Sequence, residues 1–131
     1  MAYMKYKELT KYFNFSEELD LNNLPEYVTD FVTNGEKVLV GYATSKDKFI
    51  MTTKKIVLFE VSGLESMKKI HFLPFNHISS SAIEFKPSKA AILLSMDSGY
   101  QLRLNFVDMT PDDKRKFRKV YMFLVDHITH K

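Results

Sequence analysis

The stretch FIMTTKKIVLFEVSG, Phe49 to Gly63, decides how the rest of the chain is read. Phe49-Ile50-Met51 and Ile56-Val57-Leu58-Phe59 are apolar and strand-prone, while Thr52-Thr53-Lys54-Lys55 between them is polar throughout. Two antiparallel strands joined by a tight bend explain the pattern, because backbone at a bend faces water and favours polar side chains. A rival reading keeps the bend and adds a ligand. In that version Lys54 and Lys55, with Lys46 and Lys48 of the loop before them, converge on an anion or an anionic membrane surface.

Working outward, the same short, β-branched or aromatic runs recur. Val38 to Tyr42, Phe49 to Thr53, Ile56 to Val61, Lys69 to Phe75, His77 to Phe85, Ala91 to Met96 and Tyr100 to Phe106 read as strands. Turn residues separate them, as at Ser45-Lys46-Asp47, Ser62-Gly63, Lys86-Pro87-Ser88 and Asp97-Ser98-Gly99. Leu102, Leu104 and Phe106 alternate with Arg103 and Asn105, as in a half-buried antiparallel strand. The seven strands predict an antiparallel meander bent into two packed sheets or an open barrel.

Helices flank this block. Thr110 is placed to cap a helix that starts at Pro111, with Asp113 closing a variant capping box. Phe117, Val120, Tyr121, Leu124 and Ile128 then form one apolar stripe, expected to plug the open end of the barrel. Upstream, residues 5–13 are expected as a short helix with Leu9 and Phe13 on one face. A second helix should start at Pro25, bury Leu24, Val28, Phe31 and Val32, and stop at Asn34-Gly35. The chain therefore divides into an N-terminal helical leader, 1–34, and a mainly β domain with a closing helix, 35–131. The fold class is α+β.

Composition bounds what such a domain can do. The chain has 131 residues, enough for one core, and no cysteine, which removes disulfides, thiolate metal sites and thiol nucleophiles. It shows neither a secretory signal nor an apolar run long enough to span a bilayer, so a soluble, cytoplasmic protein is expected. Residues 1–35 sum to −3, residues 36–109 to +3 and residues 110–131 to +3, which makes the leader complementary to the rest. Only three of the 19 basic residues are Arg, so specific nucleic-acid recognition is not expected.

Several pieces in this order resemble the bacterial pleckstrin-homology-like domains, over roughly residues 24–129. They are Leu24-Pro25-Glu26-Tyr27, Gly35-Glu36-Lys37-Val38-Leu39, Phe49 to Ile56, Gly63, Leu73-Pro74-Phe75-Asn76-His77-Ile78-Ser79, Ser98-Gly99-Tyr100-Gln101-Leu102 and the closing helix. Thr53 and Lys55 stand where the family more often has Asn or Asp, and Arg. The resemblance implies a seven-stranded antiparallel barrel of two roughly orthogonal sheets capped by a C-terminal amphipathic helix. It also implies binding or scaffolding, with self-assembly through sheet edges, and it carries over no active site and no cofactor. Lipid-binding pleckstrin domains grip a headgroup around the first hairpin loop. Here that loop, Ala43 to Lys48, is short, contains Asp47 and lacks Arg.

The remaining candidates are weighed on spacing. His127 and His130 share a helix face but have no third ligand in view, so no metal is expected. His77 and Ser79 share a strand face without an orienting carboxylate in sight, so no catalysis is expected. Met122 points away from the helix stripe into an arc bearing Arg115, Arg118 and Lys119, and Phe123 lies beside Lys116 at the stripe's margin. Apolar residues set among basic ones on a helix face suggest a contact surface for a protein partner or a second copy of the chain. The leader aromatics Tyr3, Tyr6, Phe13 and Phe15 are candidates to cover it.

Overall fold

The computed structural model describes residues 10–44, 47–62 and 67–129. Nine strands, two α-helices and two short 3-10 turns are seen among them. The strands are β1 (Thr10–Phe15), β2 (Glu17–Glu18), β3 (Val38–Ala43), β4 (Lys48–Thr52), β5 (Lys55–Ser62), β6 (Met67–Pro74), β7 (Ile78–Lys86), β8 (Lys89–Met96) and β9 (Gln101–Phe106). The helices are α1 (Glu26–Thr29) and α2 (Pro111–Thr129). The strands form two sheets, ordered β1-β9-β8-β7 and β2-β3-β4-β5-β6, which is the two-sheet form of the expectation. All seven expected strands are present, as β3 to β9, with ends shifted by one or two residues.

The two compact units are residues 15–74 and residues 1–14 with 75–131. In the first, β3 to β6 form a meander of antiparallel neighbours. One face of that sheet is covered by the segment around α1: buried Val28 meets Ile50, Val57 and Phe59, with Leu24, Tyr27, Phe31, Val38 and Ile70 around them. Tyr27 meets Phe59 edge-on at 5.6 Å between centroids. Burying each such side chain contributes about 1.5–3 kcal/mol. The expected helix from Pro25 to Val32 is shorter than its apolar spacing suggested. It makes one α-turn, tightens into bonds from Phe31 N to Val28 O and Val32 N to Thr29 O, and ends in a turn closed by Glu36 N to Thr33 O. Gly35 supplies the positive φ, +81°, that the third position of this turn requires.

In the second unit, β7, β8 and β9 are antiparallel neighbours, with a register shift between Ile78 and Ser80 and with Lys86 opposite Lys89 at the β7–β8 hairpin end. Helix α2 packs on β7 and on the turn Phe75–His77. Phe117 lies 4.6 Å from Phe106 between centroids, Leu124 is fully buried, and the Tyr121 hydroxyl meets Ser81 Oγ at 3.0 Å. Its stripe is therefore occupied as expected, with sheet residues of β7 and β9 as the described partners.

The leader differs from its sequence reading. Thr10–Phe15 is a strand, not the end of a helix, and it joins β9 at the sheet edge. Phe13 and Phe15 are buried while Tyr12 and Asn14 face solvent, which is the period of a strand. The rest of the expected first helix, with Tyr3 and Tyr6, lies outside the described residues.

Candidate functional site

The bend at Thr52 to Lys55 is built from hydrogen bonds that the sequence did not reveal. β4 and β5 are joined by Thr53 and Lys54 alone, and neither has the positive φ of the favoured two-residue hairpin turns. A side chain replaces what the turn type lacks. The Thr52 hydroxyl oxygen accepts from Lys54 N and Lys55 N, both at 3.1 Å, and donates to Glu36 Oε2. Glu36 Oε1 accepts from Lys55 Nζ at 2.8 Å and from Thr33 N and Thr33 Oγ1 at 2.9 Å. Lys37 and Thr53 exchange two further bonds, so the hairpin is clamped to the turn at residues 33–37.

The electrostatics follow from this geometry. The Glu36 side chain has no exposed surface and Lys55 only 16 %. Burial pushes the Glu36 carboxyl up, but the bonds from Lys55, Thr52 and Thr33 outweigh it and hold the group at about 2. Lys55 is thus directed inward onto a carboxylate. Of its neighbours in the candidate anion set, Lys54 is exposed, Lys48 Nζ lies 5.6 Å from the Tyr27 ring centroid, and Lys46 lies outside the described residues. The three described lysines of that set thus have different surroundings.

The helix face is different. Met122 is 56 % exposed, as its place on the helical wheel suggested. Arg118, one turn before it, lies over the ring of Phe85 on β7 at 5.3 Å, and Phe85 is itself exposed. Arg115 pairs with Asp112 at 2.9 Å, and Lys119 is exposed. Phe123 turns the other way: it is half-buried, 4.1 Å from the His127 ring and 6.1 Å from Phe75. The surface patch is therefore Phe85, Arg118 and Met122, with Arg115 and Lys119 beside them. Phe85 is the member that sequence reasoning missed. Its strand period pairs it with Ile83 and Ser81, and only the place of α2 shows that its ring stays partly open.

His77 lies 3.8 Å from Asp97, a carboxylate not foreseen, but Ser79 Oγ donates to Ser95 O at 2.8 Å rather than to the imidazole. No group of three metal-ligating side chains occurs among the described residues, and His130 lies outside them. No described helix is long and apolar enough to cross a membrane.

With this geometry in hand, the sequence matches the family model for the bacterial PH domain over residues 9–127. The chain belongs to the bacterial PH domain family. The match starts well before residue 35, so it takes in β1 and β2 with the meander. Solved structures agree on the fold. A pleckstrin-homology-domain protein from Shewanella loihica is 15 % identical with a TM-score of 0.68, covering 86 % of this chain and 96 % of its own. A pleckstrin homology domain from Shewanella amazonensis is 18 % identical with a TM-score of 0.58, covering 86 % and 90 %. A PH-domain-containing protein from Exiguobacterium sibiricum is 12 % identical with a TM-score of 0.64, covering 89 % of this chain and 63 % of its own. No curated protein matches significantly. In this bacterial PH domain, then, the bend that could have held an anion is tied down by Glu36, and the exposed patch lies on α2 and β7.

Proposed function

We propose that this bacterial PH domain is a non-catalytic binding module that associates with proteins, its own copies first, through the Phe85–Arg118–Met122 patch and the free edge of β7. One observation carries the reading. Among the described residues, the exposed large apolar side chains are Tyr12, Leu21, Phe72, Phe85 and Met122, and three of them sit on terminal strands: β1, β6 and β7. A terminal strand offers unpaired backbone donors and acceptors, and proteins that stay monomeric usually blunt such edges. Here the edges carry aromatic rings, and at β7 the ring is extended by a cation and a methionine. Association buries that apolar surface and pairs the edge in one step.

Contact with an anionic membrane surface is the secondary reading. It falls to Lys48 and Lys54, at about 1 kcal/mol per lysine. Light scattering separates the two. The wild-type mass should lie well above that of one 131-residue chain, and Met122→Asp, on an exposed position, should lower it. A monomer unaffected by the substitution, with salt-sensitive sedimentation on anionic vesicles, would replace the first reading with the second.

A further inference from the structure

The sheet β1-β9-β8-β7 has a second feature, on the face opposite the one that α2 covers. Ser81 and Phe85 of β7 meet the helix, so Glu84 between them points to the other side, as do Arg103 and Asn105 of β9. That side holds an open cavity of about 220 Å³. Its floor is low because the β8 residue between Glu84 and Asn105 on this face is the buried Ala91, with the larger Leu93 two positions on.

A row of polar groups crosses this floor. Glu84, Ala91 and Asn105 are cross-strand neighbours, and Arg103 spans the gap above the alanine. Arg103 Nη2 donates to Glu84 Oε2 at 2.8 Å, and its Nε donates to Asn105 Oδ1 at 3.0 Å. Asn105 Nδ2 donates to Asn14 Oδ1 of β1 at 3.2 Å. The guanidinium is thereby fixed on two sides, which leaves the rest of its fork of N–H groups oriented before any ligand arrives. Lys86 and Lys89, facing each other across the hairpin end, add two cations to the lining. Val107, on the same face as Arg103 and Asn105, adds an apolar wall. Three cations thus stand against the single carboxylate of Glu84.

We infer that this cavity binds a small organic carboxylate. Its carboxylate group takes the free side of the Arg103 fork and the Lys86 and Lys89 ammonium groups, a geometry in which guanidinium and carboxylate match in plane and spacing. Its compact apolar part rests on Ala91 against Val107. The cavity is smaller than the roughly 300 Å³ and upward of drug-sized sites, which limits the ligand to a few groups. Glu84 repels a second negative charge beside Arg103, which favours a monoanion over a phosphate monoester. This site lies on the opposite face of the sheet from the Phe85–Arg118–Met122 patch, although Glu84 and Lys86 belong to β7, whose edge the proposed association uses.

Benzoate is a suitable probe, added to the full ¹⁵N-labelled chain at low salt and followed by NMR. Saturable shifts are expected at the amides of Ala90, Ala91, Arg103 and Asn105. Affinity should fall at least about tenfold in Lys89→Glu and in Arg103→Met. Lys54→Glu changes net charge as much as Lys89→Glu does and should leave binding unchanged. Lys89 is exposed, so that variant keeps the test open if Arg103→Met does not fold. Shifts that fail to saturate at millimolar benzoate, or an equal loss in Lys54→Glu, overturn the site. Tighter binding of phenyl phosphate than of benzoate overturns the carboxylate assignment.

Discussion

Glu36 sits among donors from Thr33, Thr52 and Lys55 with no exposed side-chain surface, and its ionised form is the one they hold. Its carboxyl is kept at about 2 in the folded chain, against 4.5 for the ordinary group. The unfolded chain therefore takes up a proton that the folded chain refuses. Stability from this site is complete above about pH 4.5 and drains away as the pH falls towards about 2, by roughly 3 kcal/mol in all. Urea titrations across that range should show this slope in the wild type and its loss in Glu36→Gln. Lys55→Met leaves a buried carboxylate without its cation and should cost about 3 kcal/mol, whereas the double substitution should cost less than the sum of the singles. Additive losses in that cycle would mean that the two groups act independently. The polar bend was legible in Thr52-Thr53-Lys54-Lys55. Its fastening was not, because Glu36 is 19 positions from Lys55 and only the folded meander brings them together.

Among the elements, α2 was the most legible. Its capping box is reciprocal: Asp113 N donates to Thr110 Oγ1 at 3.1 Å, and Thr110 N to Asp113 Oδ2 at 2.9 Å. Both partners lie within four residues, so local sequence is enough to specify them. Thr110→Ala should cost about 1 kcal/mol in a denaturant midpoint. Phe117→Ala empties a site 1 % exposed against Phe106 and should cost about 3–5 kcal/mol. β1 was misread for a physical reason. Leu9 and Phe13 are four apart, as in a helix, yet Tyr12, Phe13, Asn14 and Phe15 alternate as in a strand. With the edge of β9 available for pairing, the shorter period prevails. The segment from Pro25 failed in the opposite direction. Its apolar spacing fits a longer helix, but the turn needed to carry Glu36 to Lys55 ends it after one turn.

On the scale of the whole molecule, the sheets were legible from their strand and turn pattern, and the exposed Phe85–Arg118–Met122 patch only in part. Met122 stood out on a helical wheel because α2 carries its own frame of reference. Phe85 did not, because its exposure depends on where α2 crosses β7. Arg103 and Asn105 were visible as alternating polar residues, but the low floor under them comes from a neighbouring strand. The proposed association through β7 and α2 has a direct physical signature, since a paired edge exchanges its amide hydrogens more slowly than a free one. Hydrogen–deuterium exchange should be followed from dilute to concentrated protein. Protection at Ile78–Lys86 and around Arg118 and Met122 is expected to rise with concentration, while the central strand β4 stays unchanged. Exchange at β7 and α2 that is independent of concentration, in a chain shown to be self-associated, would contradict the placement of the interface.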